Sequence, residues 1–469
     1  AFYLLAPFAA ATDPITGAKL GAAVYGALLA VPMYGVAARL GGGRGAGLVA
    51  AVFATTSVGS AYLTIEFVKN GIGLTVALAA LWLVLAAADR PSRRRIAAAL
   101  AGLIAAWATH KMAAALVAVI AIPAVLAAGT AHGRLRGRRL IYATGGVVLA
   151  GAAALALGAV FPRRFLALED AGLVRGLFSA APRWSAPALV FPGGQLAVGC
   201  DALLGLGFAL AAAAALVVVR RRRRLVRPGE LPPATALAAP SAASAIAAWP
   251  ILGIAFAIGL PFLAVGDAQG LGFRLRIAAF VPAALAAAVL IRAAPAALLA
   301  LASPSSAVER AVRAGHRHRD LALAGLAAAL ALVRQPGDRL DGEIVTHPAL
   351  VSAALALRGR VPPGVTLIVP ERHIAFLVAW YTGAPIAIRP GGVPPDRRYR
   401  LLPLHFIRAD WPLDRALIAA RAEPSLIPPL GVHPGHPNGL VLVAESTWTW
   451  VLDHLPAADR ARYAAWPTI

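Results

Sequence analysis

Residues 63–73 read LTIEFVKNGIG and place three polar side chains, Glu66, Lys69 and Asn70, between two long apolar segments. The segments cover about 47–64 and 71–88, and each is long enough to enter a bilayer as a helix. The chain as a whole is 59% hydrophobic and its mean hydropathy is +0.73. The stretch therefore predicts two membrane helices joined by a short polar connection.

Apolar segments of this kind recur through the first two thirds of the 469-residue chain. They predict a mainly α fold, a polytopic transmembrane helical bundle of about ten spans formed by residues 1–333. The segments are about 15–38, 47–64, 71–88, 96–109, 112–129, 140–161, 199–219, 248–266, 277–302 and 320–333. The ninth reads either as one long helix or as a pair broken around Pro295.

The net charge of +23 comes from arginines that cluster in short loops between the apolar segments. Such loops are expected on the cytoplasmic side of a membrane. They are 39–44, 89–95, 132–139, 220–224 and 310–319. The spans then alternate without conflict, and the external segments are 65–70, 109–111, 162–198, 267–276 and the chain after about 334. Basic patches interleaved with aromatic residues are missing from the sequence, so a nucleic-acid partner is not favoured.

Cysteine and histidine usage limits the metal chemistry. Cys200 is the only cysteine, which excludes an intramolecular disulfide and a thiolate metal cluster. The pair His433 and His436 has no nearby cysteine or second pair, so zinc is not favoured and no metal ligands are assigned. The chain begins at Ala1 without a signal-peptide pattern, and we expect it to start inside a larger reading frame.

From about 334 charged residues, histidines and prolines become common. Short β-like runs at 365–370, 384–390 and 439–445 alternate with helical patterns at 347–358, 371–381 and 411–422. The alternation predicts a small α/β domain over 334–469, which the topology places outside the membrane. No glycine-rich phosphate loop lies at a strand-to-helix turn, so nucleotide binding is not indicated.

The polar residues of the external segments fall into three groups. Each group has an ordinary structural explanation, such as a solvated helix end or a tight turn, and each also suits a phosphate or a sugar at the membrane surface. The groups are Glu66, Lys69 and Asn70; Thr109, His110 and Lys111; and Asp267, Gln269, Arg274 and Arg276.

Four stretches together resemble the GT-C superfamily of integral membrane glycosyltransferases. They are residues 2–56, which include YGVAARLGG at 34–42; IEFVKNGIG from residue 65; AAWATHKMAAALVAV at 105–119; and GLGFRLRIAAFVPAALAA at 270–287. The resemblance implies transfer of a hexose or pentose from a polyprenyl-phosphate donor to a glycan, lipid or protein acceptor on the non-cytoplasmic face. It also implies a multi-pass protein of the cell (inner or plasma) membrane. The family keeps an acidic residue in its first external loop, which we expect to precede Ala1.

Under this interpretation the cationic and amide side chains hold the donor phosphate. They are Lys69, Asn70, His110, Lys111, Arg274 and Arg276. Glu66 and Asp267 are the candidate catalytic or orienting carboxylates, and they are also compatible with a divalent cation; no other cofactor is assigned. Two alternatives stay open: a polytopic transporter or flippase of lipid-linked or polar substrates, and a non-catalytic scaffold subunit with a GT-C-like fold.

Overall fold

The computed structural model describes most of the first 334 residues and short parts of the rest. The described residues are 2–12, 14–65, 67–161, 165, 196–225, 241–260, 271–301, 307–334, 355, 358–359, 366–368, 378–387, 399–401, 404–406, 440–442 and 457. The chain divides into two units, Ala1–Leu340 and Asp341–Ile469.

The first unit is helical in the part of the chain that the structure describes. After a 3-10 turn at Phe2–Leu4, the helices are α1 Ala6–Ala11, α2 Pro14–Leu28, α3 Ala30–Gly41, α4 Arg44–Thr55, α5 Val58–Ile65, α6 Val68–Asp89, α7 Arg93–Thr109, α8 Lys111–Ala131, α9 Arg138–Val160, α10 Leu196–Leu225, α11 Ala242–Gly259, α12 Leu271–Ile277, α13 Phe280–Leu301, α14 Ala307–Arg317 and α15 Arg319–Val333. Within the predicted segment 277–302, Phe280–Leu301 form a single helix, α13, with Pro295 inside it.

Local chemistry sets several of these helix ends. Gly42 follows α3 in the left-handed region (φ +71°), which a residue without Cβ adopts at little cost. The Ser92 hydroxyl accepts a hydrogen bond from the backbone N–H of Arg95 at the start of α7. Ser241 caps α11 in the same way, through the N–H of Ser244. Glycine therefore ends α3, and serine caps the start of α7 and of α11.

Seven of the described helical segments are long and apolar enough to cross a membrane. They are Thr16–Gly41, Val68–Asp89, Lys111–Ala131, Arg138–Val160, Gly199–Arg222, Ala242–Gly259 and Phe280–Leu301. A helix of 22 residues such as α6 is about 33 Å long, which matches the hydrocarbon thickness of a bilayer. Several apolar helices of this length indicate a multi-pass membrane protein.

Helices α4 and α5 form one further apolar segment that is bent by 54°. Thr56 and Ser57 interrupt the helix there, and both hydroxyls are hydrogen-bonded: Thr56 to the carbonyl of Val52, and Ser57 to Asp201. Polar side chains of this kind satisfy the groups that a broken membrane helix would otherwise expose. The apolar segment 47–64 is therefore a broken helix rather than a continuous one.

Small residues let the central helices approach closely. A Cβ on Gly35 of α3 would lie 2.4 Å from the ring of Trp82 in α6, so the indole occupies the space that a larger side chain would need. Gly41, at the end of α3, packs in the same way against Ala46 of α4 and Ala288 of α13. Close packing of small residues is a main source of helix association in membranes, where hydrophobic burial offers little.

Helix α9 is apolar and mostly exposed. Ile141 and Leu149 are 69% and 71% exposed, and Gly158 is its one residue recorded as buried. Its open face between Leu140 and Ala152 is almost entirely apolar. A helix that is apolar on its open side suits a lipid environment.

The second unit contains short strands in its described residues. Three form a parallel sheet in the order β2-β1-β3: β1 Thr366–Ile368, β2 Ile386–Ala387 and β3 Tyr399–Leu401. Two form an antiparallel pair, β4 Leu404–Phe406 and β5 Leu440–Leu442. Residues 378–382 are helical and lie between β1 and β2 in the chain. The predicted helices at 347–358 and 411–422 lie largely outside the described residues, and so do His433 and His436.

Candidate functional site

Two long helices begin side by side at one end of the bundle, called here the α6 N-terminal end. Asn70 lies in the first turn of α6, and His110 immediately precedes α8. A Cβ on Gly73 would lie 2.5 Å from Cβ of His110, so the two backbones approach as closely as glycine allows. Both helix N-termini carry a partial positive charge, which favours an anion.

The His110 ring joins these two helix starts. Its Nδ1 accepts a hydrogen bond from the backbone N–H of Ala113 at 3.3 Å and thereby caps α8. Nε2 lies 3.3 Å from Oδ1 of Asn70. Because Nδ1 is an acceptor, the neutral ring carries its proton on Nε2, which donates to the amide oxygen of Asn70. The same ring thus fixes the start of α8 and the Asn70 side chain of α6.

Electrostatics keep His110 neutral. Burial lowers its pKa, and the positive charges of Lys69 and Arg274 lower the pKa further. The effect of both charges on one ring also shows that residues about two hundred positions apart in the sequence lie near each other. The site therefore combines an imidazole of lowered pKa with two nearby cationic side chains.

Arg274 approaches the α6 side of this site from α12. Its guanidinium carbon lies 5.6 Å from the ring centroid of Phe67, the residue that precedes α6. A cation at this distance over an aromatic face is attracted by the ring. Both Arg274 and Lys69 are exposed, so their charges are available to a ligand at this end of the bundle.

Lys111 is the first residue of α8 and follows the histidine directly. Its Nζ donates a hydrogen bond to the carbonyl oxygen of Phe165 at 3.2 Å, and the Phe165 ring packs against Trp107 with centroids 5.4 Å apart. Lys111 is therefore held at the same helix start as His110, with its ammonium directed toward the chain beyond α9.

Arg276 occupies a different environment from the other predicted phosphate ligands. Its side chain is 1% exposed, and Nη2 donates to the carbonyl oxygen of Leu260 at the end of α11. Burial lowers its pKa to about 10. Within the described part of the chain, Nε and Nη1 have no hydrogen-bond partner. The structure does not bring Arg276 together with Lys69, His110 and Arg274.

The predicted carboxylates cannot be placed in this arrangement. Glu66, Asp267 and Gln269 lie outside the described residues. Thr109 is buried, and its hydroxyl donates to the carbonyl oxygen of Ala105, as expected for a residue that ends a helix. Among the residues that the structure describes, no three His, Cys, Asp or Glu side chains form a group that could hold a metal ion.

A second polar cluster lies inside the bundle and centres on Asp201. One carboxylate oxygen accepts from the Ser57 hydroxyl at 2.6 Å, and the other pairs with Nη2 of Arg334 at 2.6 Å. Arg334 also stacks over the ring of Phe53, 4.0 Å from its centroid. The sequence marks Asp201 as a rare charge near an apolar segment, but nothing in its local pattern links it to Ser57 or Arg334.

The α6 N-terminal end can bind an anion. It offers the exposed charges of Lys69 and Arg274, two helix N-termini and a hydrogen-bonded imidazole–amide pair. A phosphate group is the biological anion that such a combination fits best.

Comparison with known proteins gave no assignment: no protein-family description, no curated protein and no solved structure matches this chain.

Proposed function

We propose that the protein is a membrane glycosyltransferase of the GT-C type, which moves a sugar from a polyprenyl-phosphate donor to an acceptor on the non-cytoplasmic face. The observation that carries the proposal is the meeting of Lys69, His110 and Arg274 at the paired N-termini of α6 and α8. A lipid phosphate at a membrane surface needs a cationic site at the end of a bundle, within reach of the bilayer.

The proposal assigns chemical roles to this site. The C1–O bond to the donor phosphate breaks, an acceptor oxygen bonds to C1, and the acceptor proton passes to a carboxylate. Glu66 and Asp267 remain the candidate carboxylates. The polyprenyl phosphate leaves with the bonding electron pair, and the charges of Lys69, Lys111 and Arg274 would stabilise it.

The wider arrangement belongs to the same proposal. The arginine-rich loops favour about ten spans with the α6 N-terminal end outside the cytoplasm. The parallel strands β1 to β3 favour a small α/β domain in residues 334–469, placed outside the membrane by the same topology. The membrane would be the cell or plasma membrane, where lipid-linked sugars are used.

Donor binding provides the first test. The probe is a short-chain polyprenyl phosphate, compared with the matching polyprenol, and binding is measured on purified protein in detergent. Arg274→Gln and Lys69→Gln should each weaken binding of the phosphate by about tenfold or more, since a charge-assisted hydrogen bond is worth roughly 1.5–3 kcal/mol. Neither substitution should change binding of the polyprenol.

Lys19→Gln is the matched control, because Lys19 is an exposed lysine on α2 and the change removes the same charge. It should leave phosphate binding unchanged. If all three variants lose phosphate binding equally, overall charge and not the site explains the effect. If Arg274→Gln and Lys69→Gln bind the phosphate like the wild type, the two residues do not hold the donor. Transfer itself is tested with radiolabelled polyprenyl-phosphate hexoses and pentoses in membranes, where Glu66→Gln or Asp267→Asn should abolish product formation.

A transporter or flippase is the second candidate, and one observation favours it. Asp201 is 2% exposed and bonds to Ser57 at the 54° break between α4 and α5. A buried charge at a broken helix is typical of transport pathways. Proteoliposomes discriminate the two functions: movement of a labelled lipid-linked sugar that Asp201→Asn abolishes, without sugar transfer, would support transport. If the protein neither transfers a sugar nor moves the lipid-linked sugar, the scaffold subunit is the function that fits.

A further inference from the structure

The opposite end of the bundle, called here the α6 C-terminal end, contains a second group of charged side chains. Arg39 at the end of α3 forms an ion pair with Asp89 at the end of α6. Nη2 of Arg319, the first residue of α15, donates to the carbonyl oxygen of Gly41 at 2.6 Å. Asp320 is the next residue, and its negative charge acts favourably on Arg319.

Arg292 of α13 is a buried charge at this end without a hydrogen-bond partner among the described residues. Its side chain is 4% exposed, and among the described residues neither Nη1 nor Nη2 has a hydrogen-bond partner. Arg319 is close enough to repel it electrostatically, and Nε of Arg319 also lacks a partner. A buried guanidinium without an acceptor is strongly unfavourable, and a second cation beside it makes the burial worse.

The buried side chain of Arg292 lies against the turn between α3 and α4. Its Cγ and Cδ lie 3.6 Å from the position that a Cβ on Gly42 would take, so the side chain runs over the bare turn between α3 and α4. Gly43 precedes α4 and offers no side-chain cap to the first turn of that helix. Asp320 reaches this turn near Gly45, and it is exposed. The turn thus brings an unpartnered buried arginine close to the N-terminus of α4, where the carboxylate of Asp320 is the neighbouring acid.

We propose that Arg292 and Arg319 bind a phosphate-type oxyanion at the turn between α3 and α4. The guanidinium fork matches the spacing of phosphate oxygens, and an anion there would satisfy the unpartnered nitrogens and remove the repulsion between the two arginines. The source is either free phosphate or the headgroup of an anionic phospholipid. The site lies at the other end of α6 from the proposed donor site and does not depend on the proposed function.

The experiment uses the purified full chain. In one arm, melting in phosphate-free detergent is compared with melting in inorganic phosphate at matched ionic strength, and bound radiolabelled phosphate is counted per protein. In the other arm, nanodiscs of phosphatidylcholine are compared with nanodiscs that also contain phosphatidylglycerol. The variants are Arg292→Gln and Arg319→Gln. Arg44→Gln is the control, because Arg44 is an exposed arginine at the start of α4.

The anion should raise the melting temperature of the wild type and of Arg44→Gln, and the increase should be absent in Arg292→Gln. Without anion, Arg292→Gln should melt at or above the wild type, because it removes an unpaired buried charge. Arg319→Gln should also lose the anion effect, and it carries the comparison alone if Arg292→Gln does not fold.

An effect of phosphate alone identifies free phosphate as the ligand, and an effect of phosphatidylglycerol alone identifies a lipid headgroup. The proposal is overturned if neither anion acts on the wild type, if both variants keep the full effect, or if Arg44→Gln loses as much of it as they do.

Discussion

Replacing Gly73 with alanine tests whether glycine sets the distance between α6 and α8. The new methyl group would lie 2.5 Å from Cβ of His110, whereas non-bonded carbon atoms normally rest about 3.5–4.0 Å apart. The helices must therefore separate by about 1 Å or distort locally. Because His110 Nε2 and Asn70 Oδ1 are already 3.3 Å apart, the same separation would break their hydrogen bond.

The expected cost follows from three contributions. Overpacking in a tight interface costs about 1–3 kcal/mol. The lost hydrogen bond adds about 1 kcal/mol. Alanine is a better helix former than glycine by about 1 kcal/mol, which offsets one of these terms. We therefore expect Gly73→Ala to reduce stability by about 1–3 kcal/mol, and Gly73→Val to reduce it further because its branched side chain is larger.

The assay is thermal unfolding of the purified protein in one detergent, together with binding of the polyprenyl-phosphate probe. Gly253→Ala in α11 is the matched control, because nothing lies within 4 Å of the position its Cβ would take. That control should gain up to about 1 kcal/mol from helix propensity. Donor binding should fall in Gly73→Ala and stay unchanged in Gly253→Ala.

The reasoning is refuted if Gly73→Ala melts as high as Gly253→Ala and binds the probe like the wild type. In that case the helices would adjust without cost, and Gly73 would not position His110. A loss that does not grow from alanine to valine would also contradict a steric cause.

Three further changes have defined outcomes. The pKa of His110 is held below its ordinary value of 6.5, so the unfolded chain binds this proton more readily than the folded chain does. Stability should therefore fall as the pH drops below about 6.5, and melting curves should record the loss. His110→Asn keeps a capping side chain, and its stability should lose that part of the pH dependence. Arg334→Gln should destabilise the bundle by a few kcal/mol, because it leaves the buried Asp201 carboxylate unpaired. Combining it with Asp201→Asn should recover part of the lost stability. If the losses of the two single variants simply add in the double variant, the two side chains are not coupled. Asp89→Asn should cost about 1 kcal/mol through the partly exposed pair with Arg39, and added salt should shrink the difference from wild type in denaturant titrations.

Hydrophobic segments predict the single helices well and their interruptions poorly. The segment 71–88 became α6, Val68–Asp89, and 112–129 became α8, Lys111–Ala131, because the apolar composition persists to the next polar residue. The sequence does not predict the break at Thr56 and Ser57, since both residue types are common within membrane helices. At the break the Ser57 hydroxyl is hydrogen-bonded to Asp201, 144 positions away, a contact that no local pattern predicts.

The sequence likewise predicts one part of the candidate site and not another. The sequence identifies Lys69, His110 and Arg274 as polar residues on one predicted side, and a common side follows from counting spans. Which arginine of the pair 274 and 276 faces the site does not follow, because they are two residues apart on a short helix and the neighbouring helices decide it. Arg276 turns inward to the end of α11, whereas Arg274 stays exposed.

The neutral ring of His110 has a consequence for the order of events at this end of the bundle. An anion that settles beside Lys69 and Arg274 offsets their positive charge and so raises the pKa of the imidazole. Its arrival should therefore favour uptake of a proton at Nδ1, which would release the N–H of Ala113 whose hydrogen bond this atom accepts. A pH-indicator dye in weakly buffered solution should record that uptake, and a constant dye signal on binding would exclude it. Binding of an anion would then depend on the acidity of the compartment that this end faces.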